Sequence, residues 1–377
     1  MEWLRKYLEK IRLKGRPFIA FQIEPTSRCQ LKCTICSRTV FSNEWVNGDM
    51  PLSVYKKISK YFHLVDDIHL QGWGEPLLHP NLFDMIQIAK AANCKTSLTT
   101  NGVLLTPNIS EKLVRQGMDI IAISISGATK ETHEGIRHGS HFEQFLDNIK
   151  TLSNLKAKMG SKTPKLILSF LMTKTNIKEL PEAVSLAKDS GINEFVATNL
   201  DYVATQAQDD LKVFSCNKAD FDFKNYIETA RKRADKLKIS FRVYPLELEE
   251  VVMCEMNPLQ IVFISFDGCV SPCVYLNMTK RGSLPRIFCG QQYELQRSFF
   301  GNIAKKDLME IWESNAYKNF RKAYHNRLNL IRKAYSDIEF GMGAFNKIKD
   351  IEKSMESTLS ENPLPEVCRT CYKAYNI

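Results

Sequence analysis

Six short apolar, β-rich runs recur along the first two thirds of the chain: Phe18–Pro25, Asp67–Trp73, Lys95–Thr100, Asp119–Ser126, Lys165–Met172 and Glu194–Leu200. Stretches with helical periodicity separate them, at Leu52–Phe62, Asn81–Ala92, Ile109–Gln116, Phe142–Lys158, Ile177–Asp189 and Asp220–Lys238. Pro51, Pro80 and Pro107 stand at the starts of three of these, where a missing backbone N–H costs the helix nothing. Near-continuous apolar strands alternating with helices imply a parallel sheet with helices covering its outer face. The fold class is therefore α/β. Six units fit a partial (β/α)6 TIM-like barrel, with an open doubly wound sheet as the alternative that periodicity alone leaves open. In such barrels the chemistry sits at the C-terminal ends of the strands.

The residues at those ends are unusual. The first run leads into Cys29-Gln30-Leu31-Lys32-Cys33-Thr34-Ile35-Cys36. Three thiols on one short loop can hold three corners of a cubane iron–sulfur cluster, for which thiolates are the preferred protein ligands. Zinc is the competing reading, but it normally takes four ligands and no fourth Cys or His lies nearby. The second run ends at Gly72-Trp73-Gly74-Glu75-Pro76 and the third at Thr99-Thr100-Asn101-Gly102. The fourth ends at Ser124-Ile125-Ser126-Gly127, followed by His133 and Arg137. Asn-Gly is also an ordinary turn pair, and an arginine is often a surface ion pair. Polar clusters at Thr173–Asn176 and Thr198–Tyr202 close the fifth and sixth runs.

Taken in order, these motifs resemble the radical S-adenosylmethionine (SAM) superfamily. The resemblance implies that Cys29, Cys33 and Cys36 hold a [4Fe–4S] cluster whose open iron chelates SAM. Reductive cleavage of SAM then yields a 5′-deoxyadenosyl radical that abstracts hydrogen from a substrate. The stretch at residues 73–76 is similar to the family's Gly-Gly-Glu-Pro motif, with Trp73 where the first Gly belongs. Glycine there lets a ligand approach the main chain closely, so the Trp73 side chain has to point away from SAM. Ser124, Ser126, Glu134 and Arg137 resemble the family's Ser-x-Asp-Gly and His-Asp-x-x-Arg patterns, with Ser126 in place of Asp and Glu134 as the second acid. Arg137 offers a planar fork of donors to a carboxylate. The implied cofactor-binding residues are Trp73, Gly74, Glu75, Pro76, Asn101, Ser124, Ser126 and Arg137.

Past roughly Lys238 the alternation stops. Gln260–Phe266 followed by Asp267-Gly268 reads as a strand entering a tight hairpin, with Cys254 before it and Cys273 after it. This order, with Phe300-Gly301-Asn302, Ile311-Trp312, Tyr317, Phe320-Arg321 and a closing Cys368-Arg369-Thr370-Cys371, resembles the SPASM and twitch extensions of radical SAM enzymes, which carry auxiliary clusters. No cysteine follows Cys371 in this chain, which matches the shorter, twitch-like arrangement with one auxiliary [4Fe–4S] cluster on Cys254, Cys273, Cys368 and Cys371. Four-thiolate structural zinc is the alternative. Of the remaining cysteines, Cys94, Cys216, Cys269 and Cys289 read as buried small hydrophobes, with Cys269 or Cys289 a possible extra ligand or hydrogen donor. The expected domains are an N-terminal amphipathic helix (1–17), the barrel (18–238) and an α+β twitch/SPASM-like domain (239–377). A helical insertion at about 321–362 spans Tyr324–Tyr335 and Phe345–Leu359.

The remaining features bound the function. The longest apolar stretches, near Ile120–Ile125 and Ile261–Phe266, fall far short of the roughly 20 residues that span a bilayer. The N-terminus has no apolar h-region, so the expected location is cytoplasmic, with no membrane partner. Eleven cysteines in that setting argue for reduced thiols and metal rather than a disulfide scaffold. The formal charge of +10 is spread along the chain, which favours a solvated basic face over nucleic-acid binding. The resemblance implies a flavodoxin- or ferredoxin-type electron donor and a peptide or small-molecule substrate. Oxidation or crosslinking of a peptide side chain is the leading expectation. Dehydrogenation or maturation of a small molecule or a metal or pterin cofactor is the alternative, and a noncatalytic iron–sulfur electron carrier or an RNA-modifying enzyme stand behind it. No catalytic acid or base is assigned.

Overall fold

The computed structural model describes residues 16–216, 220–336 and 357–377. The expected N-terminal helix and most of Phe345–Leu359 lie outside the described residues. All six expected strands form: β1 (Phe18–Ile23), β2 (Val65–Leu70), β3 (Lys95–Thr100), β4 (Ile120–Ile125), β5 (Lys165–Met172) and β6 (Glu194–Asn199). They pair in parallel, each with its sequence neighbour. Helices Leu52–Ser59, Leu82–Ala91, Pro107–Arg115, Phe142–Lys158, Leu180–Asp189 and Phe221–Leu237 connect or follow them.

The two faces of the sheet differ in chemistry. On β5, Leu166, Leu168, Phe170 and Met172 are buried against the helix layer, while Ile167, Ser169 and Leu171 are only half-buried on the other face. That other face carries polar contacts lower in the sheet: His69 Nδ1 to Ser97 Oγ at 2.9 Å, and Ser97 Oγ donating to Asp67 at 2.7 Å. The apolar drive therefore seats the helices, and the other face mixes polar side chains with half-buried apolar ones.

Four strands beyond the six extend this sheet. β7 (Ser240–Val243) pairs in parallel with β6, and β8 (Ile261–Ile264) pairs in parallel with the far side of β1, so the sheet crosses the expected boundary at 238/239. β9 (Cys269–Ser271) returns antiparallel from β8 through the expected Asp267-Gly268 turn, where Gly268 has φ +81°. β10 (Leu284–Phe288) and β11 (Gln291–Leu295) form a separate hairpin, and β12 (Gly301–Asn302) pairs with β9. The order is β12-β9-β8-β1-β2-β3-β4-β5-β6-β7, an open sheet that curves into a partial barrel. Helix Leu308–Trp312 caps β1, with the Trp312 and Phe18 rings 4.9 Å apart. Helix Asn315–Ser336 absorbs the first part of the expected insertion. Among the described residues no helix is long and apolar enough to cross a membrane.

One cysteine expectation fails. Cys216 and Cys289, read as buried small hydrophobes, form a disulfide across 73 residues of sequence. Cys289 is thereby removed as an extra cluster ligand. Cys269 is buried, and its sulfur accepts from Asn302 Nδ2 at 3.3 Å, away from the four auxiliary cysteines. Cys94 is a buried thiol that donates to the carbonyl of Phe62 at 3.3 Å.

Candidate active site

The loop after β1 is held by its neighbours on several sides. Ser27 Oγ donates to the carbonyl of Val46 at 2.8 Å and accepts from the Gly48 N–H at 2.9 Å, and Trp45 Nε1 donates to the Ser27 carbonyl at 3.1 Å. Cys33 lies in a two-residue antiparallel ladder, Lys32–Cys33 against Arg137–His138, and the Thr34 N–H donates to Ile136 O. Cys36 N-caps the single turn Ser37–Val40. The three free thiols are thus fixed by the 45–49 segment on one side and by the Arg137 segment on the other.

The second and third motifs meet at one carboxylate. Glu75 is 2% exposed and accepts from Thr100 Oγ1 at 2.8 Å, the Asn101 N–H at 2.7 Å and the Leu77 N–H at 3.1 Å. Asn101 Nδ2 in turn donates to Cys29 Sγ at 3.6 Å, which joins the third motif to the cysteine loop. The Glu75 N–H donates to Arg28 O at 2.8 Å. Gly74 has a physical reason that differs from the sequence expectation: a Cβ there would stand 2.2 Å from Thr26 O and 2.6 Å from Arg28 O. The glycine makes room for the cysteine loop itself. In the fourth motif, Arg137 Nε donates to Ser126 Oγ at 2.8 Å. His133 lies behind them, close to Ser140 Oγ at 3.1 Å, and burial pushes it down to about 3, with the Arg137 charge adding to the shift. It is therefore neutral.

Glu24, at the end of β1, was not singled out by the sequence reading. It is fully buried, and its two oxygens accept the N–H groups of Trp73 at 2.7 Å and Phe266 at 3.1 Å. A Cβ on Gly72 would meet Glu24 Cγ at 2.3 Å, so these two residues are paired by shape. An acid ending an apolar run was the available signal. Burial raises its carboxyl to about 7, against the two backbone donors that favour the anion. Unfolded, it titrates near 4.5, so between about 4.5 and about 7 the folded state binds the extra proton. The corresponding stability is fully present below that window and is lost as pH rises through it. The expected loss for the iron-free protein is on the order of 3 kcal/mol. Urea denaturation at pH 5 and pH 8 measures it, and Glu24→Gln removes this share; an unchanged pH dependence in that variant would contradict the assignment.

The Trp73 side chain reaches toward the second half of the chain. Its Nε1 donates to Val274 O at 3.2 Å, next to Cys273, and its ring stands edge-on to Tyr202 (5.9 Å), Tyr275 (6.2 Å) and Trp45 (6.2 Å). Tyr202 and Tyr275 stack at 6.2 Å with planes 10° apart. An aromatic wall therefore runs from the second motif to the second cysteine group.

That second group lines a single cavity: Cys254, Cys273, Cys368 and Cys371, with Pro258, Pro272, Tyr275, Phe320, Tyr324 and Lys373. Burial pushes Cys254 and Cys273 up to about 12, each raised further by neighbouring cysteines of the set. Four thiols so close and so dry are costly as bare thiolates, and a cationic iron core removes that cost, so the donor set fits the group. Among the described residues no three His, Cys, Asp or Glu side chains converge as ligands of one metal ion. Lys373, 5% exposed, borders this cavity and pairs with Asp201 at 2.8 Å and Glu255 at 2.6 Å, while Tyr275 also donates to Asp201 at 2.8 Å. A further cavity of about 680 Å³, lined by Arg242 and Val243 of β7 and sharing Cys254 and Lys373 with the first, touches none of the residues expected to bind SAM.

Comparison with known proteins agrees with this arrangement. Residues 23–187 match the radical SAM superfamily and residues 254–336 match SPASM, an iron–sulfur cluster-binding domain. The chain belongs to the radical SAM superfamily. This radical SAM/SPASM enzyme is 27% identical over 312 residues to the tungsten-containing aldehyde ferredoxin oxidoreductase cofactor-modifying protein of Pyrococcus furiosus, covering 81% of this chain and 84% of that one. It is 30% identical over 275 residues to a probable GTP 3′,8-cyclase of Methanocaldococcus jannaschii, covering 69% and 86%. Among solved structures it superposes on Streptococcus suis SuiB bound to S-adenosylmethionine with a TM-score of 0.58 at 17% identity, covering 85% of this chain and 72% of that one. The family binds SAM and a [4Fe–4S] cluster, and SPASM domains carry auxiliary iron–sulfur clusters.

Proposed function

We propose that this radical SAM enzyme modifies a small heterocyclic cofactor or nucleotide at the mouth of the barrel. The observation that carries this reading is the aromatic wall of Trp73, Tyr202 and Tyr275 between the two cysteine groups, with Trp73 and Tyr275 only half-buried. Flat aromatic surface with a few polar groups suits a planar heterocycle better than an extended backbone. The names of the cofactor-modifying and GTP-cyclising relatives support it, whereas the likeness to SuiB speaks only to fold. Cofactor maturation thus takes precedence over peptide crosslinking.

In this reading Cys29, Cys33 and Cys36 hold the SAM-cleaving cluster, which when bound supplies the electron that generates the 5′-deoxyadenosyl radical. Arg137, steadied by Ser126, offers its free guanidinium nitrogens to the SAM carboxylate. Glu75 fixes Asn101 and the 74–76 backbone beside the cysteine loop, and Ser124 lines the same strand end. Cys254, Cys273, Cys368 and Cys371 hold the auxiliary cluster. The test is anaerobic: the reconstituted, reduced protein is given SAM with GTP, a reduced pterin, or a mixed peptide library. Formation of 5′-deoxyadenosine should rise with a heterocycle; a rise with peptides alone would overturn the proposal.

A further inference from the structure

Arg286 on β10 is 2% exposed, yet most of its donors are idle. Nη1 donates to the carbonyl of Val367 at 2.9 Å, immediately before Cys368, while Nε and Nη2 find no partner among the described residues. The guanidinium carbon lies 5.4 Å from the centre of the Tyr202 ring, on the aromatic wall. Its positive charge also reaches Cys273. Val367, Cys273 and Cys368 all line the auxiliary cavity, so the group stands beside it. Of the acids nearby, Asp201 and Glu255 pair with Lys373, Asp201 also accepts from Tyr275, and Glu294 lies across the hairpin opposite Pro285 and makes no ion pair with Arg286. A guanidinium keeps its charge in proteins, and burying it without a counter-ion or acceptors is strongly unfavourable. Something must therefore balance it. A cubane held by four thiolates carries excess negative charge and has sulfurs that accept N–H bonds.

We propose that Arg286 is the counter-ion and N–H donor of the auxiliary cluster, and that it raises the reduction potential of that cluster. One-electron reduction adds negative charge beside the guanidinium, so the reduced form gains more from Arg286 than the oxidised form does. The hairpin of β10 and β11, stapled at its turn by the Cys216–Cys289 disulfide, is the element that presents this charge. The inference rests on the auxiliary cluster of the proposed function.

The test uses the full chain with Cys29, Cys33 and Cys36 all changed to alanine, so that one cluster gives the signal. Reconstituted anaerobically, this parent should hold about four irons. Mediated redox titration followed by electron paramagnetic resonance should give a lower midpoint potential in Arg286→Gln, with Arg286→Lys between Gln and parent. An unchanged potential in a fully loaded Gln variant overturns the role of Arg286 alone, whereas a parent without iron overturns the auxiliary-cluster reading beneath it. Thermal unfolding of the iron-free proteins covers variants that lose iron. Without the cluster Arg286 is uncompensated, so iron-free Arg286→Met should melt no lower than its parent. A lower melting temperature would mean a purely structural arginine and would overturn the proposal.

Discussion

Changing Cys36 to alanine is expected to stop 5′-deoxyadenosine formation while leaving the auxiliary iron in place. Cys36 heads the turn Ser37–Val40 and is half-buried, so alanine removes a sulfur without disturbing the backbone that the ladder at Cys33 and Arg137 holds. Three thiolates are the minimum for a cubane with one open iron, and two leave the cluster without a stable site. Iron per chain should fall from about eight to about four after reconstitution, and SAM cleavage under dithionite should fall to the uncatalysed background. The complementary variant, Cys368→Ala with Cys371→Ala, should keep the first cluster and the ability to cleave SAM while losing the other four irons. Both readouts are needed. Cleavage retained in Cys36→Ala, or iron lost equally from both sites, would sink the division of the seven cysteines into two groups.

The barrel was legible because each of its six strands is buried on the helix side, and that requirement writes an apolar run into the sequence. Strand ends agreed to within a few residues, since β1, β2 and β6 stop where the motifs begin. β7 was missed because Ser240–Val243 is short and alternates exposed with half-buried positions. The strand at Ile261–Ile264 was legible as a strand, but its parallel pairing with β1 was not, since no local pattern encodes a partner some 240 residues away. The same limit applies to Cys216 and Cys289, whose proximity is created by packing the β10–β11 hairpin against the segment after β6. Ser126 and Arg137 were expected to work together and do meet, because eleven residues of strand end and helix return the chain to the same edge. Lys373 and Arg286 carried no signal, as basic residues gain meaning only when burial removes their solvent. Glu24 was readable in principle, and its role as a brace between the second motif and Phe266 came from tertiary structure alone.

The second large effect is expected from the smallest substitution, Gly74→Ala. The added Cβ would fall 2.2 Å from Thr26 O, 2.6 Å from Arg28 O and 2.8 Å from the Ser27 carbonyl carbon. All three are backbone atoms, so no side chain can swing aside to relieve the clash. Either residues 73–76 or the segment leading into Cys29 must move, and both are tied down, by Glu24 to Trp73 and by Glu75 to Arg28 O and Asn101. Overpacking of this kind costs about 1–3 kcal/mol. The larger consequence is geometric, because a displacement of about 1 Å at a reacting centre lowers rates on the order of 100-fold. SAM cleavage by the fully loaded enzyme should fall by at least about that factor, with most of the iron retained, since the thiols themselves are intact. Gly135→Ala provides the contrast: it lies in helix Lys130–Ile136, and its Cβ would meet nothing within 4 Å. That variant should keep activity and gain up to about 1 kcal/mol from better helix propensity. Equal behaviour of the two variants would mean that the close approach of residue 74 to the cysteine loop does not position SAM.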